Sequence, residues 1–212
     1  MYTFKKLTPE LRREWERLRK IQKVPWHAPP HFGDGMKTYL ISAACYEHRE
    51  IMATPTRLAE WQSKLVRLIV DDPNSTLMSW VVLPNHYHLL VKTELLPFGR
   101  RLGRLHNGIS TQWNREDAMP GRKVWYRFSD RAIRSERHLK AAINYIHANP
   151  VRHGLVDVAT DWPWSSLAFY EQQYGLDVLR LWWRDYPVDD MGRGWDDERI
   201  TEKRPDGRTT NG

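Results

Sequence analysis

The stretch "VVLPNHYHLLVKT" (residues 81–93) decides how this chain is read. It is apolar and rich in Val and Leu on both sides of Pro84-Asn85, a turn pair that separates two short strands. Histidine is a poor filler for a hydrophobic strand, yet His86 and His88 stand two residues apart in this one. On a strand, residues i and i+2 point to the same face. Both imidazoles therefore converge on one side, while Tyr87 and Leu89 go to the other. Two imidazoles about 6–7 Å apart along a strand can close on one divalent cation, because neutral imidazole is the commonest nitrogen ligand for such ions. A bare His-x-His also occurs as an ordinary pair on an edge strand, so its neighbours must discriminate.

Before this stretch, "MKTYLISAACYEH" (36–48) reads as a strand. Residues 56–71 carry Leu58, Trp61, Leu65, Leu68 and Ile69 at helical spacing. After it, residues 97–117 place Phe98, Leu102, Leu105 and Ile109 at i, i+4, i+7 and i+11, a second helix whose other face holds Arg100, Arg101, Arg104 and Asn107. "KVWYRFSDRAI" (123–133) reads as another strand. "SERHLKAAINYIHANP" is a third helix with Ser135 as N-cap, expected to end near Asn149 because the residue before a proline avoids the α region. The order is strand, helix, strand, strand, helix, strand, helix. An α+β fold, a ferredoxin-like antiparallel sheet with helices on one face, accommodates it.

The chain has 212 residues, 33 Lys+Arg against 26 Asp+Glu, and 11 Trp and 9 Tyr. Cations neutralise phosphates and aromatic rings stack on unpaired bases, so this balance suits a nucleic-acid partner. A solvated basic surface is the plainer alternative. No apolar run reaches the roughly 18 residues of a membrane span. The start is charged, without a secretory apolar region, and the single Cys45 cannot build a disulfide framework or a cysteine-rich zinc site. A cytoplasmic protein is expected. Residues 1–35 read as a basic N-terminal arm, 36–170 as the core domain, 171–188 as an aromatic extension and 189–212 as a disordered tail.

On the third helix, Leu139, Ile143 and Ile146 form the core stripe, while His138, Ala142, Tyr145 and Asn149 form a second one beside it. Tyr145 and Asn149 are i and i+4, about 5–6 Å apart. One can ligate a metal and the other can attack something that the metal holds. The helix C-terminus, with its negative dipole end, favours a cation there. Taken singly, Tyr145 reads rather as a boundary tyrosine with a wet hydroxyl and Asn149 as a helix C-cap ahead of Pro150.

"VVLPNHYHLLV", followed by "YIHANPVRHGLV" and "DWPWSS", resembles the REP-associated tyrosine transposases, single-tyrosine relatives of the HUH endonucleases, over residues 36–170. The resemblance implies the HUH endonuclease fold. It implies that His86, His88 and Asn149 bind Mg²⁺ or Mn²⁺, with Asn149 where insertion-sequence relatives usually carry glutamine. It implies that Tyr145 is the nucleophile of a single-stranded DNA endonuclease and strand transferase. Such an enzyme acts on hairpin (REP-like palindrome) DNA through a 5′-phosphotyrosine intermediate, as a monomer or homodimer. Arg100, Arg101, Arg104, Arg131, Arg134 and Arg137 are candidates to track the DNA backbone, and Trp26 to stack on a base. His138 is a candidate proton-transfer helper. Two other readings stay open: an idle DNA- or RNA-binding module of the same fold, and a metal-dependent hydrolase of small phosphoesters.

Overall fold

The computed structural model describes residues 35–188. The expected arm up to residue 34, with Trp26, and the expected tail 189–212 lie outside the described residues. The described elements are β1 (Lys37–Ala44), α1 (Pro55–Val70), β2 (Thr76–Val82), β3 (His86–Thr93), α2 (Leu95–Glu116), β4 (Ser129–Ala132), α3 (Glu136–Arg152), α4 (Leu167–Tyr174) and α5 (Leu176–Asp185). The sheet runs β2-β3-β1-β4, with every neighbouring pair antiparallel. This is the α+β, ferredoxin-like arrangement that the order of elements suggests.

Local chemistry sets the helix starts. Thr54 accepts the Arg57 N–H, with Pro55 in the first turn of α1, and Ser135 accepts the His138 N–H ahead of α3. Asn85 occupies the tight β2–β3 connection and brings His86 into register with Ala44, and His88 with Ser42.

Helices cover both faces of the sheet rather than one. On the first face, Tyr39, Ile41, Tyr87 and Leu89 meet Leu58, Trp61 and Leu65 of α1 and Phe98, Leu102 and Ile109 of α2. On the second, Leu40, Val81 and Leu90 meet Ala142, Ile143, Tyr145 and Ile146 of α3. β3 explains the difference. It lies inside the sheet and is buried at all but one position, so apolar layers are needed on both sides.

Two boundaries also differ from the expectation. α3 does not stop at Asn149 but continues through Pro150 to Arg152. Pro150 forfeits one amide donor, yet the His153 N–H reaches the Asn149 carbonyl (3.0 Å) and the Leu155 N–H the Pro150 carbonyl (2.9 Å), which completes the last turn. The expected strand 123–133 is two pieces. β4 pairs with β1 up to Ser42–Ser129, and then Cys45 bridges Trp125. Between these pairs β1 advances three residues and its partner four, so one residue is extruded.

The outer edge of β2 is covered by "DWPWSS". The Trp162 indole N–H donates to the Val82 carbonyl (2.9 Å), the Val82 N–H to Trp164 O (2.8 Å) and the Ser166 N–H to Trp80 O (2.9 Å). These two tryptophans belong to the packing of the sheet edge. Among the described residues no helix is long and apolar enough to cross a membrane.

Candidate active site

His86 and His88 lie on the face of β3 that α3 covers, with ring centroids 5.1 Å apart, and both are buried. Tyr145 is buried among Leu40, Leu90 and Ile146, but its hydroxyl lies 3.5 Å from His88 Nε2. One turn on, Asn149 Oδ1 lies 3.5 Å from His86 Nε2. The Asn149 amide is oriented by its own helix, since Nδ2 donates to the Tyr145 carbonyl (3.0 Å) and turns the oxygen toward the imidazoles. The four residues singled out in the sequence therefore meet within one chain, on one face of the sheet.

The outer partners fix which nitrogens are available. The Asn85 amide nitrogen donates to the His48 carbonyl (3.2 Å), leaving Asn85 Oδ1 to face His86 Nδ1 at 2.7 Å. An amide oxygen only accepts, so His86 Nδ1 carries the proton and Nε2 keeps its lone pair for the site. Ser42, across the ladder on β1, holds His88 Nδ1 at 2.6 Å and aims the opposite nitrogen at Tyr145. Two further side chains border the site. The His153 ring packs edge-on against His86 at 4.8 Å, and the Arg152 guanidinium sits 5.3 Å from the centre of the Tyr145 ring.

Among the described residues no three His, Cys, Asp or Glu side chains form a group that could hold a metal ion. The donor set here is two imidazole nitrogens and one amide oxygen. Its δ-nitrogens are engaged on outer partners and its ε-nitrogens and amide oxygen converge, which suits a divalent ion that accepts both nitrogen and oxygen, such as Mn²⁺.

The remaining candidates scatter. Arg101 is consumed by Asp72 and Ser75. Arg100 and Arg104 are exposed on α2, in the layer on the opposite face from the imidazoles. Arg137 lies over the Tyr186 ring at 5.8 Å. Arg131, on β4 opposite Leu40, is near enough to Tyr145 for the two to interact electrostatically. Burial and Arg134 lower its pKa, and Tyr145 counteracts them. His138 is two turns before Tyr145, about 10 Å along the axis. Its Nδ1 accepts the Arg134 N–H at 3.4 Å, and its pKa is lowered by burial and by Arg131 and Arg134. That position supports a local structural bond rather than proton transfer at Tyr145.

Sequence reading missed Asn85, Ser42, His153 and Arg152. Asn85 had a signal, adjacency to His86, which its role as a turn residue masked. Ser42 had none, because only strand register brings it to His88.

Known proteins similar to this chain share a common name. The REP-associated tyrosine transposase of Escherichia coli K12 is 33% identical over 120 residues, 54% of this chain and 61% of that protein. The chain is similar to the REP-associated tyrosine transposases. The putative REP-associated tyrosine transposase of Haemophilus influenzae is 32% identical over 99 residues, 40% of this chain and 54% of the relative. The chain thus spans little more than half the length of these two transposases, 61% and 54%. The solved structure of a REP-associated tyrosine transposase bound to a REP hairpin superposes with a TM-score of 0.53. That match covers 70% of this chain and 86% of the solved one at 22% identity, so it shows a shared fold. No family model matches the chain.

Proposed function

We propose that this protein is a metal-dependent single-stranded DNA endonuclease and strand transferase acting on hairpin DNA, with Tyr145 as nucleophile. One observation carries the reading: the Tyr145 hydroxyl and the Asn149 amide oxygen each lie 3.5 Å from an ε-nitrogen of the His86–His88 pair. The named likeness to REP-associated tyrosine transposases, one of them solved on a REP hairpin, supports the substrate class. His86, His88, Tyr145 and Asn149 all come from a single chain, which is compatible with a monomer or a homodimer. The fold and composition suit a protein that meets DNA in the cytoplasm.

His86 Nε2, His88 Nε2 and Asn149 Oδ1 would hold Mg²⁺ or Mn²⁺, which polarises the scissile phosphate and offsets negative charge in the transition state. Tyr145 supplies the attacking oxygen. Its bond to phosphorus forms as the bond from phosphorus to the 3′ oxygen breaks. The phenolic proton is lost to solvent and the departing 3′ oxygen gains one. The product is a 5′-phosphotyrosine link and a free 3′-OH, which can reverse the step on another strand. The phosphodiester is exchanged rather than hydrolysed, so no nucleotide cofactor is required. Asn149 contributes at both ends of its amide. Its Nδ2 is tied to the Tyr145 carbonyl, so the nucleophile and the metal-facing oxygen are held on one helical turn.

The test is incubation with labelled single-stranded hairpins and Mn²⁺, followed by denaturing electrophoresis. A protein–DNA adduct is expected from the native chain and none from Tyr145→Phe, with hairpin binding retained. An adduct that survives Tyr145→Phe excludes this nucleophile. EDTA-indifferent binding with no adduct from either chain would return the protein to a binding module.

A further inference from the structure

A second surface is built at the same end of the sheet as the imidazoles. The Tyr46 and Tyr126 rings lie 4.9 Å apart, tilted by 48°. The Lys123 ammonium sits 4.3 Å from the centre of the first ring and 5.5 Å from the second. Tyr126 is 38% exposed, so part of its ring is open to solvent. Both tyrosines hang from the end of β1. The Tyr126 N–H donates to the Ala44 carbonyl (2.9 Å) and the Tyr46 N–H to the Val124 carbonyl (2.7 Å). Ala44 is the register partner of His86. Two strand spacings of about 4.8 Å therefore separate this segment from the metal-facing strand.

The backbone around it is strained. The described residues other than glycine with positive φ are Glu47 (56°), His48 (52°) and Ala118 (53°). All three lie in the two loops that shape one open depression of about 570 Å³, lined among others by Tyr46, Met119, Pro120, Gly121 and Lys123. Left-handed conformations of such residues cost on the order of 1 kcal/mol or more each, and cluster where a loop must hold a shape for a ligand. The charges sort in the same sense. Arg122 is spent on Asn114 and Asp117, and Arg49 on Glu47. Lys123 faces the two rings rather than a carboxylate, and Arg127 is exposed beside Tyr126.

We infer that Tyr46 and Tyr126, with Lys123, form a stacking platform for unpaired bases of the DNA strand that runs to the His86–Tyr145 site. The inference rests on the endonuclease reading for the identity of the strand, but its chemistry is independent. The exposed Tyr126 ring can take a base with Tyr46 packed against it, and the Lys123 ammonium, once it leaves the Tyr46 face, meets the backbone phosphate. Duplex DNA hides its base faces and gains nothing from such rings.

The test is binding of fluorescent oligothymidylate to the full chain in EDTA, so that no cleavage is involved, beside a blunt duplex of equal length. Tyr126→Ala and Tyr46→Ala are each expected to weaken oligothymidylate binding about 5- to 100-fold and to leave duplex binding unchanged. Tyr126→Phe, which keeps the ring, should bind as the native chain does. Lys123→Ala should lower the slope of log affinity against log salt by about one. Circular dichroism confirms folding of each variant. Unchanged oligothymidylate affinity in folded Tyr126→Ala would overturn the platform, as would loss in Tyr126→Phe equal to that in Tyr126→Ala. Tighter binding of oligouridylate than of oligothymidylate would overturn the assignment to DNA. The two readings separate cleanly. Ring-dependent binding without any adduct sinks the endonuclease and keeps the platform; an adduct with ring-independent binding does the reverse.

Discussion

β3 presents a tyrosine–histidine pair on each of its faces, and only one has the makings of a reaction centre. On the α1–α2 face the Tyr87 hydroxyl bonds His106 Nε2 at 2.9 Å. That pair is enclosed by aromatic rings: Trp125 stacks on His106 at 4.6 Å, and Trp61 lies 5.5 Å from both Tyr87 and His106. Burial pushes the Tyr87 phenol well up and the His106 imidazole down to about 4, so both stay neutral and inert. On the α3 face the Tyr145–His88 contact is longer, 3.5 Å, but it is surrounded by polar partners in Ser42, Asn85, His86 and Asn149. A buried tyrosine beside a histidine is therefore no site by itself. What separates the two faces is whether the imidazole has a hydrogen-bonded partner behind it and a lone pair left in front.

Exchanging the phenols tests this contrast most sharply. Tyr145→Phe should cut adduct formation by on the order of 10³ or more, measured by denaturing electrophoresis. Tyr87→Phe should leave adduct yield unchanged and lower stability by about 1–3 kcal/mol in chemical unfolding, because it orphans His106 Nε2. If Tyr87→Phe abolishes the adduct as well, the two faces are not functionally distinct.

Next in size is the backing of the imidazoles. Asn85→Ala removes the acceptor that holds the proton on His86 Nδ1, and should weaken Mn²⁺ binding roughly 10- to 100-fold by calorimetry or paramagnetic resonance. The same substitution on the aromatic face has no counterpart, since His106 relies on a phenol and on packing.

Acid distinguishes the regions differently. His106, at about 4, and His147, at about 3, are lowered below the ordinary 6.5 by burial, so the unfolded chain binds protons that the folded chain refuses. Stability from these groups is complete above pH 6.5 and falls as pH drops from 6.5 toward 4 and then 3. Each histidine contributes a slope of up to about 1.4 kcal/mol per pH unit. Urea unfolding at pH 7, 5 and 4 should show the loss, and His106→Gln should reduce it. A flat profile between pH 7 and 4 contradicts the burial of both.

The smallest expected effect lies at the β2 edge. Ser166 Oγ lies 2.9 Å from both His147 Nε2 and Ser79 Oγ, and accepts the Trp80 N–H at 3.0 Å. Ser166→Ala should cost on the order of 1–2 kcal/mol in thermal or urea unfolding without altering the adduct.

Most of this site was legible in the sequence because it depends on two local periodicities. His86 and His88 share a face by the strand repeat, and Tyr145 and Asn149 share one by the helical turn. Their order along the chain and the element pattern then suggested the sheet. What was not legible is long-range. Ser42 reaches His88 only through the β1–β3 register, and α3 reaches its side of the sheet because β3 has apolar residues on both faces. The rule that proline ends helices failed at Pro150, which is itself buried together with Asn149 while Val151 and Arg152 beyond it are exposed, so packing at that point offsets one missing donor. Basic residues were the weakest guide. Arg101 looked like a DNA contact and is instead tied to Asp72, since charge composition says nothing about which carboxylate a folded chain brings near.

The "DWPWSS" segment also bears on pairing between sheet edges. A sheet with bare margins invites runaway pairing with another copy. Here one margin is sealed by a length of irregular chain locked to the backbone of β2, and the opposite margin, β4, is only four residues long and carries Asp130 and Arg131. A template so short and so charged recruits poorly, which lets a chain with 11 tryptophans carry a densely aromatic interior with less risk of fibril growth.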